Sequence, residues 1–88
     1  MAFAKLFERN GQQILVKKDV NEENFPEIQY FFEPQIEGFS EVGSTAITFK
    51  KNDKKVWKKV NEIFENVTEK NAFDVVNRAL KDLREVFK

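Results

Sequence analysis

Apolar residues follow two different periods along the chain, and the period changes near Lys50. Before that point apolar and polar residues alternate in short runs, which is typical of strands. After it apolar residues recur at three- and four-residue steps, which is typical of amphipathic helices. Strands followed by helices predict an α+β fold, a four-stranded antiparallel sheet (β-β-β-β) with two C-terminal amphipathic helices packed on one face.

The first two strands are predicted to form a hairpin. Asn10-Gly11 is a strong hairpin signal, because both residues of a tight turn must accept a positive φ. If these two residues make the turn, Phe7 pairs with Ile14 across the two strands. The four strands are predicted at residues 3–8, 12–20, 27–33 and 44–50.

Alternation along each predicted strand assigns its side chains to one of two sheet faces. One face receives enough apolar residues to pack against helices: Phe3, Phe7, Ile14, Val16, Ile28, Tyr30, Phe32, Ile47 and Phe49. The other face is also partly apolar, with Leu6, Leu15, Phe31 and Ala46. Because a two-layer fold needs only one apolar face, the second set predicts an interface with another chain. A register shifted by one residue would exchange the two faces.

Two helices are predicted in the second half of the chain. Asn52 or Asp53 can cap the start of the first helix. Its apolar stripe does not continue in phase, so a break is predicted before the second helix. Asn71 and Asp74 resemble a capping pair at the start of that helix. We expect one domain over 1–88, with a sheet region at 1–50 and a two-helix region at 53–87.

Length and composition limit the class of protein. A chain of 88 residues forms a single domain, and the absence of cysteine excludes a disulfide scaffold. No apolar run is long enough to cross a membrane, and the charged N-terminal residues do not resemble a secretory signal. These features predict a cytoplasmic protein without membrane contact.

Opposite charges are concentrated in opposite halves, although the net charge is zero. Residues 1–49 contain four basic and eight acidic side chains, and residues 50–88 contain eleven basic and seven acidic ones. Such asymmetry indicates a charged partner. Alternatively, the acidic half folds against the basic helix and the two neutralise each other.

Apolar and acidic residues of the first half form the main candidate binding surface. Phe39 follows Gly38 in a predicted acidic loop and could anchor a partner. The predicted partner-binding residues are Leu6, Leu15, Phe31, Glu33, Glu37, Phe39 and Glu41. We expect a protein partner and self-association into a homo-oligomer, here a homodimer. An accessory or inhibitory protein that docks onto a larger protein also fits, including one whose acids imitate a phosphate backbone.

Lysines crowd the start of the first predicted helix, where the helix dipole disfavours positive charge. The set is Lys50, Lys51, Lys54, Lys55 and Lys58. Basic side chains hold phosphates and an aromatic such as Trp57 can stack on bases, so weak, sequence-tolerant nucleic-acid binding is the alternative function. Trp57 also shares the apolar stripe of the helix, and a solvated lysine face is the simpler interpretation.

Enzyme chemistry finds little support in the residue types present. The chain has no histidine and no cysteine, which removes the commonest general base and the usual nitrogen and sulfur metal ligands. Its serines and threonines have no evident activating partner. We therefore expect a non-enzymatic protein without a metal or cofactor.

Overall fold

The predicted order of strands and helices is confirmed by the computed structural model, which describes residues 3–33 and 42–86 apart from two side chains, those at positions 84 and 86. Four antiparallel strands are followed by two helices, so the fold is α+β. The elements are β1 (Ala4–Arg9), β2 (Gln12–Val20), β3 (Pro26–Phe32), β4 (Gly43–Thr48), α1 (Lys54–Glu65) and α2 (Glu69–Val86).

Each strand pairs with its neighbour in sequence, which gives the sheet order β1-β2-β3-β4. Asn10 and Gly11 make the first turn with φ angles of 52° and 80°, as a tight hairpin turn requires. Phe7 therefore lies opposite Ile14, and the predicted register is confirmed.

The core lies between one face of the sheet and the two helices. This helix-facing side carries the side chains that alternation assigned to it, and Phe64 of α1 is the largest fully buried one against them. The buried apolar set is Ile14, Val16, Ile28, Tyr30, Phe32, Val60, Phe64, Val67, Ala72, Phe73, Val76 and Leu80. The opposite side of the sheet, called the open face below, has no described helix packed on it.

Side-chain caps fix where both helices begin. Asp53 Oδ1 accepts the Val56 N–H at 2.9 Å, and this hydrogen bond lowers the pKa of the Asp53 carboxyl. The predicted cap at Asn71 is wrong, because α2 already begins at Glu69. The Thr68 hydroxyl accepts the Asn71 N–H at 3.3 Å, so threonine caps the helix and Asn71 lies in its first turn.

Lys5 joins the first strand to the end of α1. Its ammonium donates to the carbonyl oxygens of Phe64, Glu65 and Val67 at 2.8, 3.0 and 3.3 Å. Carbonyls at a helix C-terminus lack intrahelical donors and carry partial negative charge, which a cation stabilises. The same ammonium lies 5.1 Å from the centre of the Phe64 ring. Lys5 therefore sets where α1 ends above the sheet.

Arg9 makes the corresponding contact between β1 and α2. Its guanidinium carbon lies 4.4 Å from the centre of the Phe73 ring, and its Nε lies 2.8 Å from Glu69 Oε1. The ion pair is exposed to solvent and contributes little alone, whereas stacking on a buried ring also orients the guanidinium. The first strand thus contacts both helices through two cations, Lys5 and Arg9, that flank Phe7 on its helix-facing side.

Replacing Lys5 with methionine tests its role at the end of α1. Lys5→Met keeps the apolar stem and removes the three hydrogen bonds to helix carbonyls. We expect the free energy of unfolding to fall by about 1 to 2 kcal/mol, measured by urea denaturation. Lys59→Met, at an exposed position of the same helix, is the matched control and should change it by less than about 0.5 kcal/mol. Equal effects of the two variants would contradict this role for Lys5.

Candidate functional site

An exposed apolar row crosses the open face of the sheet. Leu6, Leu15 and Phe31 occupy directly opposite positions on β1, β2 and β3. Leu6 is 62% exposed and Leu15 is 38% exposed, while Phe31 is half-buried. Large apolar side chains that are adjacent and uncovered are typical of interaction surfaces. These three residues are called the apolar row below.

A shallow pocket of about 260 Å³ lies along the apolar row. Gln13, Glu33 and Val42 complete its lining together with the row and the edge of Phe32. Val42 is 64% exposed and extends the apolar surface toward β4. The pocket is open, so it fits a protruding side chain of another protein better than an enclosed small molecule.

The charges next to the apolar row differ in sign between its two sides, and Asp19 and Glu27 add carboxylates farther out on the Lys17 side. On one side Lys17 stands between Ala4 and Gln29, and its ammonium lies 5.5 Å from the centre of the Phe31 ring. On the other side Glu8 lies opposite Gln13 and accepts a hydrogen bond from its amide at 3.3 Å. Glu33, just beyond the end of β3, adds a second carboxylate to this side.

A hydrogen-bonded carboxylate lies at the far end of the open face. Glu27 accepts from the Thr48 hydroxyl at 2.6 Å, from Gln29 at 3.1 Å and from Asn21 at 3.4 Å. The Thr48 hydrogen bond is the largest of the causes that lower the pKa of the Glu27 carboxyl, followed by that from Gln29. Glu27 therefore keeps its charge to lower pH than an isolated glutamate.

The lysines predicted as the alternative site are exposed at the start of α1. Over residues 3–33 and 42–86, Lys51 is the member of this set with a carboxylate within 4.0 Å, that of Asp53 at 3.5 Å. Trp57 is half-buried against the core, and its indole N–H donates to Asn52 Oδ1 at 2.7 Å. The lysines are thus available to an anion, but the indole is held against the protein.

Not all of the predicted binding residues can be placed. Leu6, Leu15, Phe31 and Glu33 come together on the open face. The other three, Glu37, Phe39 and Glu41, lie outside the described residues. The lysine set belongs to the helix layer on the opposite side of the sheet, so the two candidate sites are separate surfaces.

Sequence reasoning missed two residues of the open face, Lys17 and Val42. Lys17 follows Leu15 by two positions in β2, and the alternation that placed Leu15 on this face also places Lys17 there. Val42 precedes β4 in a stretch that carried no periodic pattern, so the sequence offered no signal for it.

Comparison with known proteins found no matching family model, no similar curated protein and no similar solved structure. Neither described helix has the length and apolar character needed to span a membrane.

Removing the Thr48 hydroxyl tests what holds Glu27 ionised. Thr48→Val should raise the pKa of Glu27 toward its ordinary value, measured by following its carboxyl carbon in an NMR titration. Because the folded-state pKa is lowered, the charge of Glu27 stabilises the fold above the unfolded-state pKa, and this contribution is lost as pH falls through the folded-state value. Ser44→Ala, also on β4 and facing the same side, should leave the titration unchanged. A Thr48→Val titration identical to that of the parent protein would contradict the assignment.

Proposed function

We propose that this chain is a small, non-enzymatic, cytoplasmic protein-interaction module that self-associates through the open face of its sheet. The observation that supports this most is the apolar row, whose leucines remain exposed although the chain has a complete core on the other side of the sheet. A second copy of the chain is the proposed occupant of the open face, for the following reason of charge.

The charges next to the apolar row are self-complementary, with Lys17 on one side and Glu8 and Glu33 on the other. A two-fold axis lying along the row, between two facing sheets, would pack each residue of the row on the same residue of the second copy. The same rotation exchanges the two sides of the row. Lys17 of one copy would then face the side of the other copy that carries Glu8 and Glu33. Apolar contact and attraction between charges favour the same arrangement.

The size of the open face indicates a weak dimer. Four strands about 4.8 Å apart, each about six residues long at about 3.3 Å per residue, give a face of roughly 400 Å². Both copies together would bury about 800 Å², which is below the range of about 1,200 Å² and above that is usual for stable complexes. We therefore expect a weak, reversible dimer.

A charge exchange across the apolar row tests this dimer. Lys17→Glu alone and Glu33→Lys alone should each weaken self-association, since each places like charges against each other. The double variant restores opposite charges across the proposed axis and should recover most of the affinity. Sedimentation equilibrium over a concentration series measures the dissociation constant in each case.

Two further variants distinguish the proposed interface from nonspecific association through any exposed apolar residue. Phe31→Glu, in the apolar row, should leave the protein monomeric and folded. Ile47→Glu places the same change at an exposed apolar position on the other side of the sheet and should not alter the dissociation constant. A parent protein that stays monomeric at millimolar concentration, or a double variant no better than the single ones, would overturn the proposed dimer.

Nucleic-acid binding through the lysines of α1 is the second candidate function. It is supported by the exposure of Lys50, Lys54, Lys55 and Lys58, for which no described carboxylate lies within 4.0 Å. Such lysines can bind phosphates without reading sequence. The fixed position of the Trp57 indole argues for backbone contact over base stacking.

A double charge reversal tests this second function. Lys54→Glu combined with Lys58→Glu should abolish binding of a fluorescein-labelled mixed-sequence single strand, measured by fluorescence anisotropy at low salt. The parent protein should lose affinity steeply as salt rises, because counterions are released on binding. Lys70→Glu combined with Lys81→Glu, on α2, is the matched control and should have the smaller effect. Equal losses from both pairs would indicate attraction by overall charge and no site on α1.

A further inference from the structure

A second cavity, on the helix-facing side of the sheet, contains a buried lysine. The cleft lies between the C-terminal end of β2 and the first turns of α1 and has a volume of about 410 Å³. Its lining consists of Phe3, Lys18, Asp19, Val20, Trp57 and Asn61. It shares no lining residue with the pocket on the open face.

Lys18 provides the cationic group of this cleft. The residue is only 8% exposed, and its ammonium donates to Asn61 Oδ1 at 2.8 Å. The ammonium also lies 5.0 Å from the centre of the Phe64 ring and 5.9 Å from that of Phe3. Buried charges are normally paired with an opposite charge. In the part of the chain that the structure describes, no carboxylate lies within 4.0 Å of this ammonium.

The donors of Lys18 are only partly used. An ammonium group has three N–H donors, and Asn61 is the one acceptor found for them among the described residues. Contacts with aromatic rings stabilise the charge but accept no conventional hydrogen bond. An acceptor that enters the cleft would therefore meet a largely buried donor whose position is already set by Asn61.

Apolar groups form the walls above Lys18. Phe3 is 71% exposed, Val20 is also exposed, and the indole of Trp57 is held in place by its hydrogen bond to Asn52. Exposed apolar side chains beside a buried cation suit a ligand with an apolar body and one anionic end.

Charges at the rim also favour an anion. Lys54 precedes Trp57 by three residues and Lys58 precedes Asn61 by three, so both lysines lie on the same side of α1 as the cleft. Asp19 is the one acidic residue in the lining, and its side chain belongs to the open face of the sheet. Its Oδ1 accepts the Val20 N–H at 2.8 Å and its Oδ2 lies 3.7 Å from Lys17, so its charge is partly compensated.

We propose that this cleft binds a small monocarboxylate with an apolar body, such as a short fatty acid or an aromatic acid. Its carboxylate binds the ammonium of Lys18, and its apolar body packs between Phe3, Val20 and Trp57. Both kinds of ligand offer this chemistry, a single carboxylate joined to an apolar body. The proposal does not depend on the dimer, because the open face lies on the other side of the sheet.

Octanoate and octanol are the probes for this site, because they differ mainly in the anionic group. Titration of the parent protein with octanoate should give a saturable change in Trp57 fluorescence. Octanol should bind about tenfold more weakly or worse, the factor expected for a hydrogen bond to a charged group. Lys18→Met should remove the preference for octanoate. Lys70→Met, at an exposed position of α2 that does not line the cleft, should preserve it.

A measurement on the parent protein keeps the test decisive if Lys18→Met does not fold. Octanoate should shift the NMR signals of the Asn61 side-chain amide and of the Lys18 and Val20 backbone amides. Equal affinity for octanoate and octanol, no saturable response to octanoate, or shifts confined to other residues would each overturn the proposal.

Discussion

The position of α1 depends on a lysine that neutralises the end of the helix from beneath. Lys5 reaches from the edge strand to three carbonyl oxygens, two in the last turn of α1 and one just after it. Without it, these carbonyls would rely on water in the short connection between α1 and α2. The ring of Phe64, fully buried beside the ammonium, packs in the core at the same point. Lys5 therefore holds the C-terminal end of α1 at the same place where Phe64 packs into the core.

Two lysines on the helix-facing side of the sheet have different surroundings and different roles. Lys5 and Lys18 both approach the Phe64 ring, at 5.1 and 5.0 Å. Lys5 is satisfied by backbone carbonyls of the helix end, whereas Lys18 meets one side-chain amide and an open cleft. The same residue type thus secures the fold at one position and leaves binding capacity at the other. The difference comes from the hydrogen-bond acceptors near each ammonium, because both ammonium groups lie at nearly the same distance from the Phe64 ring.

Local patterns in the sequence predicted much of the fold and part of the site. The Asn10-Gly11 turn fixed the hairpin register, and alternation then placed Leu15 and Phe31 on the open face. The pattern could not show that Lys18 is buried, although it lies two positions after Val16 on the core side. Burial of a lysine depends on Asn61 and two aromatic rings that are distant in sequence, and no local period encodes those contacts.

The connection between β1 and the helices also affects how the chain folds. Adjacent strands of the sheet are joined in sequence order, so the pairing of strands requires only short loops to close. The hydrogen bonds of Lys5 and Arg9 to the helices instead join residues 59 to 62 positions apart. Closing so long a stretch of chain costs more conformational entropy than closing a strand loop, so we expect these bonds to form after the local strand pairs. Of the four strands, β1 comes earliest in the sequence, yet its side-chain bonds to the helices need residues 64–69 to be present.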